Sequence, residues 1–187
     1  MTPVTLETER LLLRPWRDGD RAPFAALNAD AESMRHFPAV LSRAESDAFV
    51  DSLMARFAEH GWSQFAVERK ADGAFLGLVG PNRPLWSAHF TPCVELGWRI
   101  LRAHEGHGYA TEAARAALAF AFDALGEARV YAFTVPANAK SQAVMQRIGM
   151  TRVAGGDFDH PRLPEGHPLR RHVLYAADAA GRRPGPR

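Results

Sequence analysis

Val4-Thr5-Leu6-Glu7-Thr8-Glu9-Arg10-Leu11-Leu12-Leu13-Arg14 is entered through alternating apolar and polar positions, which predicts one strand that Pro15 closes. Asp18 or Asp20 then stands where a helix cap belongs, ahead of a short segment with Phe24 and Leu27 on one face. Ser42-Arg43-Ala44-Glu45 has the spacing of a capping box. Phe49, Leu53, Met54 and Phe57 follow at three- and four-residue intervals up to Gly61, predicting an amphipathic helix. Ser63 to Arg69 and Phe75 to Gly80 flank Ala71-Asp72-Gly73 as the arms of a hairpin. Asn82 to Thr91 reads as a loop, and alternation resumes in a strand from Val94 to Ile100.

Glu105-Gly106-His107-Gly108 interrupts the pattern, and a helix stripe of Ala110, Ala113, Ala114, Ala117, Leu118, Ala121 and Leu125 runs on to Gly126. Residues this small let a helix lie close on a sheet. A strand over 129–135 ends at Pro136, and Asn138 caps a last helix that faces Val144, Met145 and Ile148 inward before Gly149. A strand near 150–154, an irregular stretch rich in His, Pro and Asp, and a strand over 171–176 close the pattern. One domain is expected over 1–180, with 181–187 a frayed polar tail.

The glycines carry the first chemical hint. A strand-to-helix turn presents unpaired N–H groups at the positive end of a helix dipole, which suits a phosphate. Alone, such a turn is as consistent with a dinucleotide fold as with anything else.

Composition narrows the class. With 187 residues, 47% of them apolar and 24% charged, the chain is expected to be globular and to bury a full core. No apolar run reaches the roughly 20 residues of a membrane helix and no signal pattern opens the chain, so a cytoplasmic location is expected. The formal charge of +2 is spread along the chain and does not point to nucleic acid. Cys93, the single cysteine, has no internal disulfide partner and reads as a small buried hydrophobe. The histidines, with Asp157 and Asp159, fit no zinc spacing, so no metal is expected.

The order of elements resembles the GNAT superfamily of acetyl-CoA-dependent N-acetyltransferases. Thr8-Glu9-Arg10-Leu11-Leu12-Leu13-Arg14-Pro15, Gly106-His107-Gly108-Tyr109-Ala110-Thr111-Glu112-Ala113 and Asn138-Ala139-Lys140-Ser141 to Gly149-Met150 are similar to its RimJ/RimL-type branch. So is the late segment Asp157-Phe158-Asp159-His160-Pro161 running through His167 to His172-Val173-Leu174-Tyr175. The resemblance spans about residues 4–178. It implies an α/β (α+β) GNAT fold: a mixed, mostly antiparallel sheet of six to seven strands, helices on both faces, and central strands splayed around the coenzyme.

It further implies a cosubstrate, acetyl-CoA, held by Ile100, Leu101, Glu105, Gly106, His107, Gly108, Tyr109, Ala110, Thr111, Asn138 and Ser141. The family's pyrophosphate signature begins with Gln or Arg, where this chain has Glu105, so backbone amides of the turn are expected to carry the binding. Period two puts Glu95, Gly97 and Arg99 on one face of their strand. Glu95 is then a candidate to orient or deprotonate the amine, or else the partner of an arginine on a neighbouring strand. Ser141 stands in for the tyrosine that many relatives place in this helix; it can protonate the leaving thiolate or simply bond backbone. A bulge near Gly97 is expected to free an N–H for the thioester carbonyl. Phe37, Trp86 and Phe90 are candidate walls for the acceptor, and one of His160, His167 and His172 can border it. The acceptor implied is a protein N-terminal amine; a small amine such as an amino acid, polyamine or aminoglycoside, and a coenzyme-binding module without turnover, remain alternatives. A monomer or homodimer fits equally.

Overall fold

The computed structural model describes residues 3–179, so the tail expected at 181–187 lies outside the described residues. The strand expected over 4–14 is broken into β1 (Leu6–Glu7) and β2 (Leu11–Arg14), an antiparallel pair with Leu6 opposite Leu13. The break has a local cause. Thr8 N–H donates to Leu11 C=O at 3.0 Å, and the Thr8 hydroxyl accepts from Leu11 N–H at 3.0 Å, so the chain turns back on itself.

A short 3₁₀ turn leads into α1 (Arg21–Ala29), which buries Phe24 and Leu27. Asp20 does not cap α1 with its side chain as expected. Its carboxylate receives the Arg14 guanidinium at 2.7 and 2.8 Å, and Arg14 also reaches Glu68 at 2.7 Å. This network ties β2, the segment around Glu68 and the start of α1 together. The capping box forms as expected on α2 (Arg43–His60): Ser42 Oγ accepts from Glu45 N–H and Glu45 accepts from Ser42 N–H. Val50, Leu53 and Phe57 face inward, whereas Met54 is exposed at the edge of the stripe.

The hairpin arms are β3 (Phe65–Arg69) and β4 (Phe75–Asn82), followed by β5 (Val94–Ile100), α3 (Tyr109–Asp123), β6 (Arg129–Thr134) and α4 (Ala139–Arg147). Two-residue strands β7 (Thr151–Arg152) and β8 (Phe158–Asp159) both pair with the last strand, β9 (Arg171–Asp178). β8 lies in the stretch expected to be irregular. The sheet runs β1-β2-β3-β4-β5-β6-β9-β7 with β8 on β9, so six longer strands are supplemented by three short ones. Ala113, Ala114, Ala117 and Ala121 of α3 are fully buried in the core with Val94, Leu96 and Ile100 of β5.

Every pairing is antiparallel except β5 with β6. Those two strands pair only at Val94–Val130 and Glu95–Tyr131, and then part. The bulge expected in β5 is not formed: its register with β4 is continuous from Glu95 opposite Asn82 to Ile100 opposite Gly77. Parting from β6, rather than a bulge, leaves this stretch of β5 without a strand neighbour on one side.

Candidate active site

The gap between β5 and β6 widens into a cleft of about 1580 Å³. One drug-sized ligand fills roughly 300–1,000 Å³, so the cleft has room for two reactants end to end.

At one end the chain leaves β5, passes a 3₁₀ turn over Arg102–His104 and crosses Gly106 and Gly108 at φ of 80° and 81°. That left-handed backbone favours glycine. Gly108 is the N-cap of α3 and offers no capping side chain. Among the described residues, the N–H groups of 106–111 therefore have no protein acceptor, and Gly106, Gly108, Tyr109, Ala110 and Thr111 line the cleft. This is a cradle for an anion.

Glu112 fixes the cradle from below. Its carboxylate accepts from the Thr8 hydroxyl at 2.6 Å, Arg10 N–H at 2.9 Å and Arg10 Nε at 2.7 Å, while Arg10 also donates to His107 C=O at 3.0 Å. Burial pushes this carboxyl up, but the bonds from Thr8 and Arg10 outweigh it and hold it below the usual range. Glu105 turns its carboxylate to Lys140 at 2.6 Å, which removes the repulsion that an acidic residue would bring to an anion site. Ile100 lines the cleft; Leu101 and His107 do not. Leu101 N–H bonds to Leu76 C=O at 2.8 Å, and the His107 ring stacks on Tyr109.

Midway along, Asn138 Oδ1 caps α4 by accepting from Ser141 N–H at 3.2 Å. Ser141 Oγ accepts twice, from Asn138 Nδ2 and from Trp98 Nε1, each at 3.2 Å. Both lone pairs of the hydroxyl are thus used and its own proton is left to donate. Ser141 and Trp98 both line the cleft.

At the far end stands Glu95. Asn82, its register partner on β4, donates Nδ2 to Glu95 Oε1 at 2.7 Å, and Arg56 on α2 holds Asn82 through its Oδ1. Oε2 is shielded and has no hydrogen-bond partner among the described residues. Burial pushes this carboxyl up to about 7, against the opposing pull of Asn82, Arg162 and Arg56. The alternative of an ion pair with a neighbouring arginine is not formed; an amide stands between. A carboxyl poised near neutrality suits general acid–base work.

Trp86, Phe133, His160 and His172 wall this end, with Phe37 across from them. Phe90 is buried behind the wall, packed on Trp86 and Phe133, and does not reach the cleft. Burial, aided by His172 and Arg162, pushes His160 down to about 4, and burial lowers His172 too, so the rings meet a substrate uncharged at neutral pH. His167 holds its loop by accepting from Leu169 N–H at 3.1 Å. Asp157 and Asp159 pair with Arg152 and Arg171. Cys93 is buried and its thiol is pushed up to about 12, far from a thiolate nucleophile.

Sequence reasoning left Arg99, Asn82 and Arg56 without a role. For Arg99 a signal existed, since period two had placed it on the face of Glu95. Asn82 and Arg56 gain theirs only from the β4–β5 register and the seat of α2.

A sheet parted at its middle sets an anion cradle at one end of a cleft and a near-neutral carboxyl at the other, an arrangement suited to a phosphate-bearing ligand and proton transfer. The family model described as Acetyltransferase (GNAT) domain matches residues 10–151, and the chain belongs to this family: it is an N-acetyltransferase. The Bacillus subtilis protein YkkB is 31% identical over 148 residues, 78% of this chain and 84% of that one. Of solved structures, an acetyltransferase from Agrobacterium tumefaciens superposes with a TM-score of 0.77 at 28% identity, covering 96% of each chain. RimJ of Mycobacterium smegmatis, in complex with CoA-disulfide, superposes at 0.76 with 23% identity, covering 96% of this chain and 90% of that one. No helix among the described residues is long and apolar enough to cross a membrane.

Proposed function

We propose that the chain acetylates a primary amine from acetyl-CoA, and that the amine is the N-terminus of a protein or peptide. The observation that carries this is Glu95, its Oε2 without a partner and its carboxyl near neutrality, at the opposite end of one cleft from the cradle of free N–H groups.

The residues present fit the cosubstrate. The N–H groups of 106–111 take the pyrophosphate, and the unpaired stretch of β5 beyond Glu95 offers main-chain bonds to an extended arm lying where a strand would. When bound, acetyl-CoA supplies the thioester carbon that the amine attacks. Glu95 accepts a proton from the incoming ammonium, directly or through a water. Ser141, its lone pairs occupied by Asn138 and Trp98, donates its proton toward the sulfur as the bond to carbon breaks, and the second proton, which the nitrogen loses on becoming an amide, restores the hydroxyl. The uncharged side chains of Trp86, Phe133 and His160 at this end favour the neutral amine. Leu85, 80% exposed at the rim, and Phe37 and Trp86 inside it suit a peptide chain.

A thiol-release assay with acetyl-CoA and a panel of peptides and small amines tests the reading. Release is expected with peptide N-termini. Turnover confined to small amines would overturn the acceptor, and coenzyme binding without turnover on any amine would overturn the reaction.

A further inference from the structure

Arg99 is a partly buried cation that the protein does not neutralise. It stands on the same face of β5 as Glu95, four residues along, and lines the same cleft. Its Nη1 donates to Asn28 Oδ1 of α1 at 2.6 Å. Asn28 is itself oriented, because its Nδ2 donates to Ser46 Oγ of α2 at 3.0 Å and so turns its carbonyl toward the guanidinium. The guanidinium lies over Phe37 at 4.2 Å and over Phe49 at 5.5 Å, with the sulfur of Met34 at 3.8 Å from Nη1. Among the described residues no carboxylate pairs with it, and Nε and Nη2 have no acceptor.

Burying a guanidinium without a carboxylate is costly, and one amide with two aromatic faces returns only part of that. Burial alone lowers the group to about 10, still well above neutrality, so it is charged whenever the enzyme works. An unsatisfied planar fork facing a cleft is the donor set for a carboxylate.

The coenzyme is not that anion. Its cradle is the N-terminus of α3, whereas Arg99 reaches toward α1 and α2 on the Glu95 face of the strand. Gly97 lies between the two charged residues, and its lack of a side chain admits the Gln64 amide, whose Nε2 lies 2.9 Å from where a Cβ would stand. By strand rise the Cα atoms of Glu95 and Arg99 are about 13 Å apart, which lets one molecule touch both heads.

We propose that the acceptor carries a carboxylate as well as an amine, and that Arg99 selects it by binding that carboxylate while Glu95 meets the amine. This rests on the reading that the cleft acetylates an amine. The carboxylate is that of an acidic side chain, either on the first residue of a peptide or on a free amino acid, and the test has an arm for each.

Kinetics compare a tetrapeptide beginning with Glu against one beginning with Gln, and free glutamate against glutamine, for the wild type, Arg99→Met and Arg99→Lys. In one pair the wild type is expected to favour the acid by roughly ten- to a hundredfold in kcat/KM. That ratio falls to about one in Arg99→Met and recovers in part in Arg99→Lys, with the KM for acetyl-CoA kept; the responding pair identifies the source. Equal rates within both pairs, or a preference that survives in Arg99→Met, would overturn the inference. So would a raised KM for acetyl-CoA, since it would give Arg99 to the coenzyme. If no amine turns over, the proposed reaction has failed, and calorimetric titration with glutarate and glutaramide still decides this point: saturable binding of glutarate alone, lost in Arg99→Met, upholds the site, and no difference between proteins refutes it.

Discussion

Replacing Glu95 by Gln keeps the side chain's shape and its acceptance of the Asn82 amide while removing a charge that the fold resists. The folded carboxyl titrates near 7 against an ordinary 4.5, because burial outweighs the help from Asn82. Between those values the folded protein holds a proton that the unfolded chain has released, so stability falls as pH rises from 4.5 toward 7. At about 1.4 kcal/mol per pKa unit, the difference amounts to about 3 kcal/mol once both states are ionised. Urea unfolding of wild type and Glu95→Gln at pH 4, 6 and 8 measures it. The two proteins are expected to differ least at pH 4, and Gln is expected to be the more stable by up to about 3 kcal/mol at pH 8. Activity moves the other way. Wild-type kcat/KM is expected to rise through an apparent pKa near 7. The Gln variant loses that limb and runs roughly 10²–10³-fold slower at pH 7, recovering in part at high pH, where more amine is neutral. A stability difference independent of pH would refute the buried carboxyl, and an unchanged rate at pH 7 would remove Glu95 from the chemistry.

Ser141→Ala removes the proton aimed at sulfur, and a fall of roughly tenfold or more in kcat with the KM for acetyl-CoA little changed is expected; an unchanged kcat would confine Ser141 to receiving Trp98 and Asn138. Gly108→Trp places a large side chain at φ 81° in the cradle. The left-handed backbone costs about 1–2 kcal/mol, so a lowered but intact melting transition is expected together with loss of CoA binding by calorimetry; normal binding would move the pyrophosphate elsewhere. Asp20→Ala strands the buried Arg14 guanidinium, and denaturant titration is expected to show a loss of about 3–5 kcal/mol; a loss below about 1 kcal/mol would mean that Glu68 suffices alone.

Much of this fold was legible because its signals are local. The capping box at Ser42, the Asn138 cap and the alanine stripe of α3 each depend on residues within a few turns; both caps formed as read, and the stripe is buried from Ala113 to Ala121, the helix ending at Asp123 rather than near Leu125. The failures are equally physical. β1 and β2 read as one strand because Thr8-Glu9-Arg10 holds no Gly or Pro to mark a turn, while the force that folds the chain back is a side-chain bond that the pattern does not record. β8 is two residues long and owes its pairing to β9, too short to show a period. Asp20 looked like a cap because Asp is a good one, but a buried arginine outbid the helix for its carboxylate.

The site shows the same division, with one instructive exception. The words around Thr8–Arg10 and Gly106–Glu112 lie about a hundred residues apart and looked like separate marks of a family. In the structure they are one device: Glu112, in the first turn of α3, takes the Thr8 hydroxyl and both the backbone and side chain of Arg10, and Arg10 holds the carbonyl of His107. An anion cradle made of backbone amides has no side chains of its own to stiffen it, and glycine at two of its positions adds freedom that binding must remove. The β1–β2 turn supplies that stiffness in advance. Glu112→Gln, which keeps an acceptor for Thr8 but loses the charge that holds Arg10, should therefore weaken CoA binding while leaving every backbone N–H of the cradle in place. Calorimetry at low and high salt is expected to show a wild-type advantage that shrinks as salt screens the Arg10–Glu112 pair, and an affinity for CoA equal to wild type at low salt would mean that the turn holds its shape unaided.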